Sequence, residues 1–213
     1  LYERLKKEQP KSDALIQLRE RLTDELLKQR RYAELADGVD LNADMDRDFE
    51  AYKPGWVEKL FMLKYSKEQR EQIQKSRNEM LVQRMGQYYQ ILIGLKRYDE
   101  AEKLAKRLLD ASPEAWTYNA LAWNGYLTGE PVEANVTQAR KAYEMTKGEE
   151  IAIIDTLARV LDAHGQRPEA IALVQQALPK FTSDHDQTVL YNCLTDFGVQ
   201  KPELTMPEWG YMV

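Results

Sequence analysis

The 213-residue chain has one cysteine and two histidines. A lone Cys193 excludes an intrachain disulfide framework and a multi-cysteine metal site. The chain also lacks a phosphate-cradling glycine loop, a G-x-G-x-x-G turn and an H-E-x-x-H pair. No apolar run approaches the ~20 residues that a bilayer crossing demands, because Lys, Glu or Gln interrupts each one. Positive charge is not in excess either. Thirty Lys and Arg stand against thirty-five Asp and Glu, a net charge of −5, so the electrostatic footprint of a nucleic-acid binder is absent. No segment alternates polar and apolar residues with period two, which argues against a sheet. These absences predict an all-α protein with no membrane insertion, no metal, no cofactor and no enzymatic activity.

What the chain does have is ordinary for a folded domain. It is 43% hydrophobic and 31% charged, long enough to bury a sizeable core, and its mixed charges read as solvated helix faces. One phrase then recurs. Glu100-Ala101, Glu133-Ala134 and Glu169-Ala170 each open a helical run, 33 and then 36 residues apart. In the last two copies a glycine, Gly129 or Gly165, stands five residues before the alanine. A period near 34 is the mark of stacked helix-turn-helix units.

Around these positions the apolar residues keep helical spacing. Leu15, Leu18, Leu22 and Leu26 mark one early helix, and a short one is expected around Tyr32 to Val39. Arg31-Tyr32 lies two 33-residue periods before Arg97-Tyr98, which suggests a degenerate early repeat. Residues 37–55 break the rhythm with Asp37, Asp40, Asp44, Asp46, Asp48 and Glu50, and are expected to form an acidic loop or irregular insertion. Ser66 to Gln69 reads as a capping box. It opens a helix of ~29 residues, ~43 Å long, expected to bridge two halves with Ile73, Met80, Leu81, Met85, Tyr88, Leu92 and Leu95 on one face. Ser112-Pro113-Glu114 reads as a helix start with a serine cap. Gly198 ends the last helix. Residues 1–65 thus form a degenerate helical part, 66–198 the repeats, and 199–213 an extended apolar tail that either docks on the solenoid or a neighbouring domain or subunit, or serves as a linker. Leu1, Tyr2 and Leu5 already sit at helical spacing, so the chain reads as a fragment cut within a repeat.

The stretch from about 82 to 181 resembles the tetratricopeptide repeat family. Ala101, Ala134 and Ala170 match the small residue where the two helices of each repeat cross, and Pro113 matches the terminal proline. Asn119-Ala120-Leu121-Ala122-Trp123 and Asp155-Thr156-Leu157-Ala158 look like first helices of such repeats. The resemblance implies a right-handed solenoid whose first helices line a concave groove for a protein or peptide partner. Carried over by position, the groove candidates are Gln83, Gln90, Trp116, Asn119, Trp123, Asp155 and Arg159. Asn119 and Arg159 lack the supporting lysines of the subgroup that grips a C-terminal carboxylate, so that specificity is not expected.

The remaining reactive groups have plainer readings. His164 precedes a terminating glycine, where an imidazole can meet the last carbonyls. His185, between Asp184 and Asp186, is expected to cap the last helix. Cys193 falls on an apolar stripe and behaves as a small hydrophobe. Asp40, Asn42, Asp44, Asp46 and Asp48 place oxygens at alternate positions, as a calcium loop does, but Met45 and Ala51 replace its required glycine and glutamate. The function expected is therefore a protein-interaction scaffold within a larger polypeptide or complex. The alternatives are an accessory domain fused to a catalytic domain that this chain lacks, and a purely architectural spacer.

Overall fold

The computed structural model describes residues 13–36, 41–51 and 62–199. These form ten helices and no strand. They are α1 (Asp13–Lys28), α2 (Tyr32–Ala36), α3 (Leu41–Ala51), α4 (Lys67–Gly94), α5 (Tyr98–Ala111), α6 (Ala115–Leu127), α7 (Glu133–Thr146), α8 (Ile151–Ala163), α9 (Arg167–Ala177) and α10 (Asp184–Asp196). The chain divides into two compact units, Leu1–Leu104 and Ala105–Val213. The tail expected from residue 199 onward lies outside the described residues, save Val199.

In the first unit, α1 packs on α2, and both α2 and α3 pack on α4. The acidic stretch is not a loop where it is described. Leu41, Met45 and Phe49 recur four apart and are buried, so three apolar side chains suffice to fix an amphipathic helix among the aspartates. Helical geometry also rules out the calcium-loop arrangement for its described members. Residues two apart point away from each other on a helix, and among the described residues no cluster of potential ligands is found.

The capping box at the start of α4 is formed. The Gln69 amide N–H donates to Ser66 Oγ at 3.3 Å, and the Ser66 N–H donates to Gln69 Oε1 at 2.9 Å. This 28-residue helix does not bridge two halves, since it lies wholly inside the first unit. Nor does it bury one continuous stripe. Met80 is exposed, and burial begins at Leu81 and becomes continuous from Tyr88 to Ile93. Six consecutive buried residues mean that this end is covered all round.

The two Arg-Tyr pairs adopt the same local structure. Arg30 and Lys96 both take left-handed backbone angles, φ 55° and 60°. After each, the Arg31 and Arg97 N–H groups reach back to Leu26 and Leu92 carbonyls at 2.9 Å, the closing bond of a Schellman stop. Each arginine then pairs with a glutamate three residues on, Arg31 with Glu34 and Arg97 with Glu100. After Gly165 and Gly198 the same closing bond ends α8 and α10, from the Gln166 and Val199 N–H groups to the Leu161 and Leu194 carbonyls.

In the second unit the neighbours follow chain order. The helix α6 packs on α7, and α8 packs on α6, α7, α9 and α10, while α9 packs on α10. The shared core holds Ala122, Val136, Ala139, Ile154, Leu157, Ala158, Leu161, Ala170, Val174, Leu190 and Leu194, all buried. The start of α6 is later than expected. Ser112 is buried and accepts a bond from the Thr117 hydroxyl at 3.2 Å, so it does not cap, and Glu114 takes the N-cap position without a side-chain bond.

One of the three expected crossing residues is misplaced. Ala101 and Ala170 are fully buried, but Ala134 is exposed and Asn135 is buried in its stead. The reason lies in the preceding turn. From the left-handed residue to the buried small position is five residues at Lys96–Ala101 and at Gly165–Ala170, but six at Gly129–Asn135. Gly129 is not followed by a Schellman bond. Thr128 Oγ1 donates to the Gly125 carbonyl at 2.7 Å and accepts from the Glu130 N–H, so the turn is longer, α7 starts four residues after Gly129 instead of two, and the buried position falls one residue later. Ala134→Leu is therefore expected to change stability by less than ~0.5 kcal/mol, as exposed substitutions do. A urea midpoint shifted well below the parent chain's would count against this placement.

Candidate partner-binding surface

The helix α6, Ala115–Leu127, carries no charged residue in a chain where almost one residue in three is charged. Trp116, Asn119, Trp123 and Tyr126 follow one another by three, four and three positions, which places them on one face. Leu121 and Gly125 are buried on the other side, and Ala122 is buried at the edge of the stripe, where Tyr126 packs against the core. Trp116 is 50% exposed. Trp123 is half-buried, and its ring lies 5.4 Å from that of Tyr126 at a tilt of 33°. Between the two tryptophans, Asn119 is nearly buried and its Oδ1 has no hydrogen-bond donor. Gln138 Oε1 on α7 is in the same condition. An orphaned buried acceptor costs about 1–3 kcal/mol, so these two atoms are the strained polar points of the unit.

On α8, Asp155 and Arg159 lie 36 residues after Asn119 and Trp123. They do more than pair along the helix. Arg159 Nε donates to Asp155 Oδ1 at 2.9 Å and Nη1 to Asp196 Oδ2 at 2.8 Å. Cys193 Sγ also donates to Asp155 Oδ1, at 2.8 Å. The four side chains tie α8 to α10. Burial pushes the Cys193 thiol well above its usual range, and its bond to Asp155 adds to that. A thiol so held is a protonated donor and a poor nucleophile. For Arg159 burial opposes the charge, but the bond to Asp196 and the neighbouring negative groups outweigh it, and the guanidinium stays charged. Asp196 and Cys193 were not singled out as partners from sequence, since neither lies a whole repeat from the residue it bonds, Arg159 at 37 positions and Asp155 at 38.

The other expected site residues fall elsewhere. Gln83 is exposed on α4. Gln90 does not face a groove: it is 5% exposed, and its Nε2 lies 3.5 Å from the Tyr32 hydroxyl because α2 covers that face. Both belong to the first unit, the remaining candidates to the second. His164 ends α8, with its Nδ1 3.9 Å from Glu133 of α7. His185 does not cap α10. Ser183 does, accepting from the Asp186 N–H at 3.1 Å, and His185 is exposed in the first turn.

A second polar cluster holds α3 to α4. Asp48 Oδ2 accepts from Arg84 Nε at 2.9 Å and from the Tyr88 hydroxyl at 2.8 Å, and the Arg84 guanidinium lies 5.3 Å from the Tyr88 ring centre. Burial alone would raise the Asp48 pKa, but the bonds from Arg84 and Tyr88 and the charges of Arg84 and Arg47 outweigh it, so the value is lowered. Burial and the bond to Asp48 push Tyr88 up to about 12. A lowered carboxylate pKa stabilises the fold above its unfolded value of ~3.9 and loses that contribution as pH falls through the folded value. Melting temperatures taken from pH 6 down to pH 2 should fall less steeply in Asp48→Asn than in the parent chain. Identical slopes would show that the cluster adds no pH-dependent stability.

No helix among the described residues is long and apolar enough to cross a membrane. Comparison with protein-family models, with curated proteins and with solved structures found no match. The regular elements of the described residues are all helices, and they pack on their neighbours.

Proposed function

We propose that the second unit is a stack of helical hairpins of tetratricopeptide type, and that it works as a protein-interaction module. The observation that supports this most is the set of neighbours around α8. It touches both helices of the hairpin before it, its own partner α9, and α10, the first helix of the next. Each neighbour lies within about one and a half repeats along the chain, as a linear array of stacked units requires. In this reading α6, α8 and α10 are the first helices of successive repeats, and their open faces form the binding surface.

Trp116 and Trp123 are then the anchors, since large aromatic side chains dominate binding energy when a partner covers them. The chain performs no covalent chemistry in this reading, and its thiol serves packing and a hydrogen bond. The test is partner capture by the parent chain, by Trp116→Ala and by Trp123→Ala, with circular dichroism to verify the fold. Loss of the same partner from both folded variants is expected. A partner retained by both, at unchanged affinity, would place the binding surface elsewhere.

A further inference from the structure

Resting on that reading, we infer that the segment recognised by the α6–α8 face is extended and basic, carrying Arg or Lys side chains beside exposed backbone N–H groups. The charge of the protein is unevenly shared between its units. Residues 105–213 hold nine Lys and Arg against fifteen Asp and Glu, a balance of −6, whereas residues 1–104 hold twenty-one against twenty. A field of that sign steers cationic segments toward the second unit and repels acidic ones.

The local chemistry agrees with the long-range field. The faces of Trp116 and Trp123 attract a guanidinium or ammonium group placed over them, and α6 contributes no positive charge to oppose it. Asp155 and Asp196 share a single Arg159, which leaves surplus negative charge on the neighbouring helices α8 and α10. Between the tryptophans, Asn119 Oδ1 lacks a donor. A turn of this amide toward a partner's N–H would relieve it, and a segment with no donor to offer would leave it unmet. An extended strand supplies such N–H groups at regular intervals, with side chains alternating to either side.

The experiment is selection of a random dodecamer phage library on the intact chain at low salt, repeated on Trp116→Ala and Trp123→Ala. The expected result is enrichment of dodecamers with net positive charge. Synthetic versions should bind the parent chain more weakly as salt rises, and each tryptophan variant about tenfold more weakly. Enrichment of acidic or neutral dodecamers would overturn the basic class while leaving the interaction surface in place. Basic dodecamers that bind both folded variants as tightly as the parent would overturn the assignment to this face. Because Trp116 is largely exposed, its variant keeps the test decisive even if Trp123→Ala fails to fold. No enrichment over bare resin would sink the interaction reading itself.

Discussion

Leu161→Ala is expected to destabilise the chain by about 2–5 kcal/mol, the range for emptying a buried leucine site. Leu161 is fully buried in the core shared by α7, α8, α9 and α10, and α8 is the helix on which four others rest. Since whole domains are stable by only ~5–15 kcal/mol, this one change could remove a large fraction of the unit's stability. Urea unfolding followed by circular dichroism reads the loss as a lowered midpoint at an unchanged slope. Met145→Ala, at an exposed site, is the control and should stay within ~0.5 kcal/mol. A Leu161 variant no less stable than that control would mean α8 is not the centre of the packing.

Gly125→Ala is the second, and it runs against helix propensity. Alanine in a helix interior is ordinarily better than glycine by about 1 kcal/mol. Here a Cβ at position 125 would stand 2.2 Å from Asn135 Oδ1, with the rest of that amide within 2.6 Å. Asn135 is fully buried and has little room to move away, so overpacking should win at about 1–3 kcal/mol. Removing the obstacle tests the cause. In the double variant Gly125→Ala, Asn135→Ala, most of the clash energy should disappear, giving a coupling of at least ~0.5 kcal/mol in a double-mutant cycle. Strict additivity of the two changes would show that the two residues do not meet.

This contact also explains what the sequence could and could not convey. The Glu-Ala phrase is visible at three places, and its spacing reveals helical hairpins. At two places the alanine is fully buried. At the third, a longer turn after Gly129 puts the buried position one residue later, at Asn135, and a glycine on α6 makes room for it. A motif search follows letters, whereas burial follows the angle at which a helix leaves its turn, and a shift of one residue changes that angle by about 100°. The acidic stretch 41–51 shows the same limit. Its aspartates dominate the composition, but Leu41, Met45 and Phe49 decide the structure because they alone gain from leaving water.

The candidate surface was legible in part. Trp116, Asn119 and Trp123 followed from the repeat resemblance, Tyr126 was not among the expected residues, and the pairing of Arg159 with Asp155 needs only their spacing. That Gln90 is covered by Tyr32 depends on a helix more than fifty residues away. The bond from Cys193 to Asp155 likewise joins α8 to α10. Local patterns specify which residues form each helix, through propensity, caps and the 3.6-residue repeat, and here they pointed to a helical chain with stops at Gly165 and Gly198, while the left-handed stops at Arg30 and Lys96 emerged only in the structure. Which face of each helix is covered, and therefore which polar side chains remain open to a partner, was settled only when the helices packed, because burial is a property of two surfaces and the sequence writes them one at a time.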